Sequence, residues 1–302
     1  MGDRWFRLGD HGRYPALATE RHTITPFESF VSDAKEKSEL WRTALGALLI
    51  AGILILLILL MSQVGNLAVF KHLDLLFYLG LVSLHIPAIA ITVKSLHGRS
   101  FWTLFGKDGF LIRNFFLGIA AGAVYLLVAI TISLPFAPEL KGGVVWSSWF
   151  LFLLPAIGLI FLQSASEELL FRGYLQQQLG AKLSPSTAMI LPSIVFSLMH
   201  YSDVWGRNLL IYLILIFAFG VVLADVTRRT GNLSFAIGLH FANNLYLLLV
   251  VGDIDPEFQQ SLSLWVDPTP LDNTITGRLL VISFIAVAIT YSALLWRAKK
   301  LE

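Results

Sequence analysis

Ala44–Met61 is an apolar run without a single charged residue, and the chain keeps returning to such runs. Leu73–Val93, Phe115–Leu134, a stretch from Trp146 to Leu162, Leu209–Ala224, Leu233–Val251 and Leu279–Trp296 follow, with a shorter run at Thr187–His200. A helix needs about 20 mostly apolar residues to cross the hydrocarbon core of a bilayer. In lipid every backbone N–H and C=O must be satisfied within the protein, which leaves helices or closed barrels. Barrel strands alternate apolar and polar residues over about ten positions. These runs are too long and too continuous for that. The expectation is therefore an all-α, polytopic membrane helical bundle of about eight transmembrane helices.

Composition agrees. Of 302 residues 56% are apolar and only 14% charged, where soluble domains run near a quarter charged. A net charge of +2 offers no case for a nucleic-acid partner. The absence of cysteine excludes disulfides, thiolate metal sites and a cysteine nucleophile.

The first 42 residues carry seven Lys/Arg and seven Asp/Glu, among them Asp3, Arg4, Arg7, Asp10 and Arg13, and lack the early apolar core of a signal peptide. They are read as a cytoplasmic N-terminal arm (1–42) ahead of a transmembrane domain (43–298). With eight spans the basic clusters at Lys94/Arg99/Lys107/Arg113, Lys182, Arg228/Arg229 and Arg297/Lys299/Lys300 fall on one side with the arm. The loop after Val251 is mostly acidic (Asp253, Asp255, Glu257, Asp267, Asp272) and falls on the other. The positive-inside rule then places both termini in the cytoplasm and the chain in the cell inner (plasma) membrane. Trp41, Trp102, Trp146, Trp149 and Trp296 stand near span ends, as interfacial anchors do.

Ionisable groups inside spans cost roughly 2.5–3.5 kcal/mol each on insertion scales, so they are candidates for function. In Glu167-Glu168-Leu-Leu-Phe-Arg172 the second Glu and the Arg are i and i+4 and can form an ion pair. Glu167 is rotated about 100° away, without a local partner, and is the free carboxylate. The bland alternative is a charged patch where the helix leaves the membrane. His200, at i+4 from Phe196, closes an apolar helix. A hairpin turning near Leu183 would bring it level with Glu167, although a lone His there also suits a core position. His240 and Asn244 are again i and i+4, with Asn243 beside them; interhelical hydrogen bonding is the competing account and the favoured one for Asn243. Counted from Arg228 and Arg229, His240 lies about ten residues in from the cytoplasmic side, so a cavity opening there is expected. Asp225 is expected to pair with Arg228 or Arg229, and His85 to satisfy a backbone kinked by Pro87. Asp203 and Arg207 lie in a short loop near the site and are given no role.

Glu-Glu-x-x-x-Arg, Phe-x-x-x-His and His-x-x-x-Asn, in this order on three apolar segments, resemble the CPBP family of CAAX proteases and bacteriocin-processing enzymes, also called Abi. Gly173 and Thr230-Gly231-Asn232-Leu233 add to the likeness, which covers about residues 146–250. The resemblance implies an intramembrane endopeptidase. Glu167 and His200 would activate a water, His240 and Asn244 would stabilise the oxyanion, and Glu168, Arg172 and Phe196 would support them. No cofactor is expected on this reading. Zinc held by Glu167, His200 and His240 is the alternative, although no His-Glu-x-x-His is present. The expected partners are a peptide or protein substrate at the membrane and the bilayer itself. A non-proteolytic transporter, or a peptide-binding immunity or regulatory protein, is the competing class; no inverted repeat speaks for transport.

Overall fold

The computed structural model describes residues 24–65, 74–136, 140–142, 146–253, 263–267 and 269–299. Residues 1–23 of the arm, Lys71, Asp255, Glu257 and Lys300 lie outside the described residues. The helices are α1 (Pro26–Phe30), α2 (Leu40–Gly65), α3 (Asp74–Ser83), α4 (His85–His97), α5 (Ile112–Ser133), α6 (Trp146–Glu168), α7 (Gln177–Gly180), α8 (Pro185–Leu198), α9 (Leu209–Thr230), α10 (Ser234–Leu249) and α11 (Thr274–Lys299). They form an all-α polytopic bundle.

Among the described residues six stretches are long and apolar enough to cross a membrane: Leu40–Leu60, Leu75–His97, Ile112–Phe136, Trp149–Gly180, Asp203–Thr230 and Thr274–Trp296. The other two expected spans are shorter helices. α8 has 14 residues and α10 has 16. At about 1.5 Å per residue they reach roughly 21 and 24 Å, against a hydrocarbon core of about 30 Å. Phe196 lies on α8 and His240 and Asn244 on α10, so part of the site is carried by helices that fall short of a full crossing.

The second long stretch is broken between α3 and α4, where His85 Nδ1 lies 2.6 Å from the Val82 carbonyl. That is the use expected for a polar ring beside a Pro-interrupted turn. Arg99, just past the end of α4, donates to Gln177 Oε1 at 2.7 Å. Its burial pulls the guanidinium pKa down to about 10.

α6 does not stop at Glu168. Leu169–Gln176 continue it as a π-helical stretch into α7. Such i→i+5 segments are rare and gather at functional sites. A turn at Ala181–Ser184 then reverses the chain. Ser184 caps α8 by accepting from the Thr187 N–H at 3.1 Å, and Pro185 takes the first helical turn, where its missing N–H costs nothing. The expected hairpin therefore forms, turning at the expected place.

α5 crosses α10 closely because both have glycine at the contact. A Cβ on Gly118 or Gly238 would run into the backbone of the other helix, and one on Gly122 would come within 2.7 Å of Ala242 Cβ. Small residues let membrane helices gain van der Waals contact that lipid cannot outcompete. α9 ends at Gly231, whose φ of +64° suits a residue without a Cβ. Asn232 then ties the α9–α10 corner by donating to the Gly109 carbonyl at 2.7 Å and accepting from the Ser234 N–H.

The main apolar cluster joins Phe27 and Phe30 of α1 to Ile89, Leu169, Phe171, Tyr174, Phe196 and Leu233. The described part of the N-terminal arm thus packs into the bundle. Three strands, unforeseen from the sequence, form a small sheet beside the α10–α11 connection: β1 (Lys141–Gly142), β2 (Val251–Asp253) and β3 (Trp265–Asp267). Their order is β1-β3-β2, with β1 antiparallel and β2 parallel to β3. Their few backbone pairs were hidden by the absence of any alternating run.

Candidate active site

The last turn of α6 delivers Glu167 and Glu168, the π-helical stretch delivers Arg172, the end of α8 delivers Phe196 and the turn after it His200, and α10 delivers His240, Asn243 and Asn244. Glu168 is fully buried and Arg172 is 1% exposed. Arg172 Nη1 donates to Glu168 Oε1 at 2.8 Å, and its Nη2 donates to the Gly220 carbonyl at 2.9 Å. Gly220 permits that approach: a Cβ there would already sit 3.3 Å from Arg172 Nη2 and from the Phe196 ring. The guanidinium also lies 4.7 Å from the Phe196 ring centre, a cation–π contact in a low-dielectric setting. The expected ion pair is formed, and it is sunk in the bundle rather than at its surface.

His240 is where the two carboxylates meet. Its Nδ1 lies 2.8 Å from Glu168 Oε1, and its Nε2 lies 3.6 Å from Glu167 Oε2. An ionised carboxylate only accepts, so Nδ1 carries the hydrogen and Nε2 is the ring atom turned to Glu167. The 3.6 Å gap is too long for a direct hydrogen bond and suits a bridging water. Glu167 is not without a local partner, contrary to the reading from helix geometry alone. Gln163, one turn earlier, donates to Glu167 Oε1 at 2.8 Å. Glu167 Oε2 is buried and accepts no hydrogen bond among the described residues.

His200 is half-buried and its Nδ1 lies 2.7 Å from the Phe196 carbonyl. That carbonyl needs a donor, so in the neutral ring Nε2 is left with the lone pair. The His200 and Phe196 rings are 4.6 Å apart, and Phe196 meets His240 edge-on at 6.0 Å. Phe196 is thus the apolar wall that the two histidines and Arg172 share. No direct bond joins His200 to Glu167.

Asn244 Nδ2 donates to Gln163 Oε1 at 2.8 Å. Asn243 donates to Asn244 Oδ1 at 3.1 Å instead of bridging to another helix. Gln163 and Gly220 are the residues that sequence reasoning missed. Gln163 carried a signal, being a polar side chain in an apolar run one turn before Glu167. Gly220 carried none beyond being a glycine inside a span.

His200, His240, Asn243, Asn244 and Phe196 line a cavity of about 490 Å³. The cavity also touches Trp205, Gly252 and Asp267, which belong to the connections at the end of the bundle opposite Arg228 and Arg229, and Thr276 in the first turn of α11. This overturns the expectation that the cavity opens on the Arg228/Arg229 side. A residue count along α10 gives depth but cannot show which end its neighbours leave open. Asp225 pairs with Arg228 and Arg229 as expected, and Tyr291 of α11 adds a third contact to it. Asp203 and Arg207 lie in the α8–α9 connection. Among the described residues no three His, Asp, Glu or Cys side chains stand close enough to hold a metal ion together. Glu167, His200 and His240, the zinc set considered from sequence, are no exception.

A polytopic helical membrane protein with a buried Glu–Arg pair, two histidines and an Asn at the head of a cavity is the class that fold and site define. Residues 147–246 match the model of the Rce1-like family of type II CAAX prenyl endopeptidases. That is the family resemblance carried by the three motifs. The chain is also 26% identical over 171 residues to the uncharacterized protein YyaK of Bacillus subtilis (strain 168), a match covering 55% of this chain and 57% of that protein.

Proposed function

We propose that the protein is an intramembrane endopeptidase that hydrolyses a peptide bond of a membrane-associated or lipid-modified substrate with a water activated by Glu167 and His200. The observation that carries this reading is the free, buried Oε2 of Glu167 facing His240 Nε2, beside a cavity lined by both histidines. A base must present an uncommitted lone pair to the proton that it takes. Glu167 does so while its other oxygen is held by Gln163.

In the reaction the water oxygen attacks the scissile carbonyl, and its proton passes to Glu167 with His200 Nε2 as the second acceptor. The negative charge formed on the carbonyl oxygen meets His240 in its doubly protonated form, since a neutral ring with its hydrogen on Nδ1 would offer only a lone pair at Nε2, and the Asn244 N–H that otherwise makes the long 3.4 Å contact to Ser164. Glu168 accepts from His240 Nδ1 and so turns Nε2 inward, and Arg172 holds Glu168 in place. The proton then moves to the amide nitrogen as the C–N bond breaks. Preorganised donors of the His240 and Asn244 kind are worth about 2.7–4 kcal/mol each in a water-poor site. Every step uses side chains alone, without a metal.

The probe is a farnesylated, internally quenched peptide ending in Cys-aliphatic-aliphatic-X, with the protein in nanodiscs. Wild type cleaves it. Glu167→Gln and His200→Ala each lose at least about 100-fold in kcat, the low end for a general-base residue. Undiminished cleavage by both variants would sink the proposal.

A further inference from the structure

Three side-chain amides stand in series behind Glu167. Asn243 Nδ2 donates to Asn244 Oδ1 at 3.1 Å, Asn244 Nδ2 to Gln163 Oε1 at 2.8 Å, and Gln163 Nε2 to Glu167 Oε1 at 2.8 Å. Every link donates toward the carboxylate. That direction is forced. An ionised carboxylate can only accept, so Gln163 turns its NH2 group to Glu167 and its carbonyl to Asn244. Asn244 must then offer its NH2 group to Gln163, which leaves its own carbonyl for Asn243. Flipping any one amide would set two donors or two acceptors face to face. Ser164 fits the same sense, accepting from Asn244 at 3.4 Å and donating to Gln163 at 3.3 Å.

The chain of amides runs from the cavity wall, where Asn243 and Asn244 lie, to the carboxylate. It joins α10 to α6 through Gln163, which is buried. Aligned hydrogen bonds polarise one another, and their dipoles add at the charged end.

We propose that Gln163 is a positioning residue that holds Glu167 and Asn244 in one geometry, with Asn243 setting the direction of the amide chain from the cavity. The inference rests on the reading of Glu167 as the base. Without Gln163 the carboxylate loses the hydrogen bond that holds Oε1, and Asn244 is free to flip and present its carbonyl to the reacting centre.

Gln163→Met keeps the length and unbranched shape of the side chain. With the farnesylated peptide it is expected to lower kcat roughly 10- to 100-fold, the span for losing a hydrogen bond to a charged group, with KM within about twofold. A packing residue would not split the two parameters in this way. The second readout needs no activity. The side-chain NH2 resonances of Asn243, two links from Gln163, move in both Gln163→Met and Glu167→Gln. If Gln163→Met does not fold, the chain is read from its other end: Asn243→Leu moves the NH2 resonances of Gln163. Stationary distal resonances in the folded variants overturn the relay. Unchanged kcat in Gln163→Met, with Glu167→Gln inactive, also overturns it and leaves the protease reading standing. Full activity in Glu167→Gln removes Glu167 as the base, while the resonances still decide whether the amides are coupled.

Discussion

Arg172→Met tests whether the buried pair is scaffold or surplus. Arg172 neutralises a carboxylate with no solvent exposure and fills the space between Phe196 and Gly220. Met fills much of that space but leaves Glu168 charged and facing only His240 Nδ1. Removing one partner of a buried pair costs about 3–5 kcal/mol, because the survivor cannot be resolvated. The remaining His240 bond argues for the lower end, about 3 kcal/mol. At about 2–4 °C per kcal/mol, the scale for chains of 150–250 residues, Tm falls by roughly 6–12 °C. Tryptophan fluorescence during heating in one detergent reads this directly, since the chain has 8 Trp. Glu168→Gln/Arg172→Met removes both charges and is expected to recover most of the loss. The reasoning is refuted if Arg172→Met melts with the wild type, or if the double variant melts below the single one.

Gly238→Leu drives a side chain into the Phe115 backbone and is expected to lose at least about 1–3 kcal/mol in the same melt. Gly158→Ala, with nothing within 4 Å of a new Cβ, is expected to be neutral or stabilising. Peptide cleavage is expected to be unchanged by 1,10-phenanthroline; loss of activity restored by added zinc would make Glu167, His200 and His240 ligands after a rearrangement. Single cysteines in this cysteine-free chain test orientation: with cytoplasmic termini, Lys182→Cys is blocked only by a permeant maleimide and Ser202→Cys by an impermeant one. The reverse pattern would turn the mouth of the cavity to the cytoplasm.

Much of this was legible in one dimension. Apolar length dictates helices, since lipid offers no partner for an open backbone, and the i, i+4 spacing of Glu168 and Arg172 dictates their pairing. The turn at Leu183 and the Asp225 pairs follow from equally local rules. Tertiary structure decided whatever depends on a neighbour from another helix. His240 lying between both carboxylates, Arg172 reaching the Gly220 carbonyl, and Asn244 reaching Gln163 are contacts over dozens of residues, and no periodicity encodes them. The open end of the cavity was likewise set by how α8 to α11 pack. The residues announced that a polar centre exists, because burying charge is costly anywhere in the membrane. Only the packing determined which oxygens of that centre, Oε2 of Glu167 and Oε2 of Glu168, were left without a hydrogen-bond partner among the described residues.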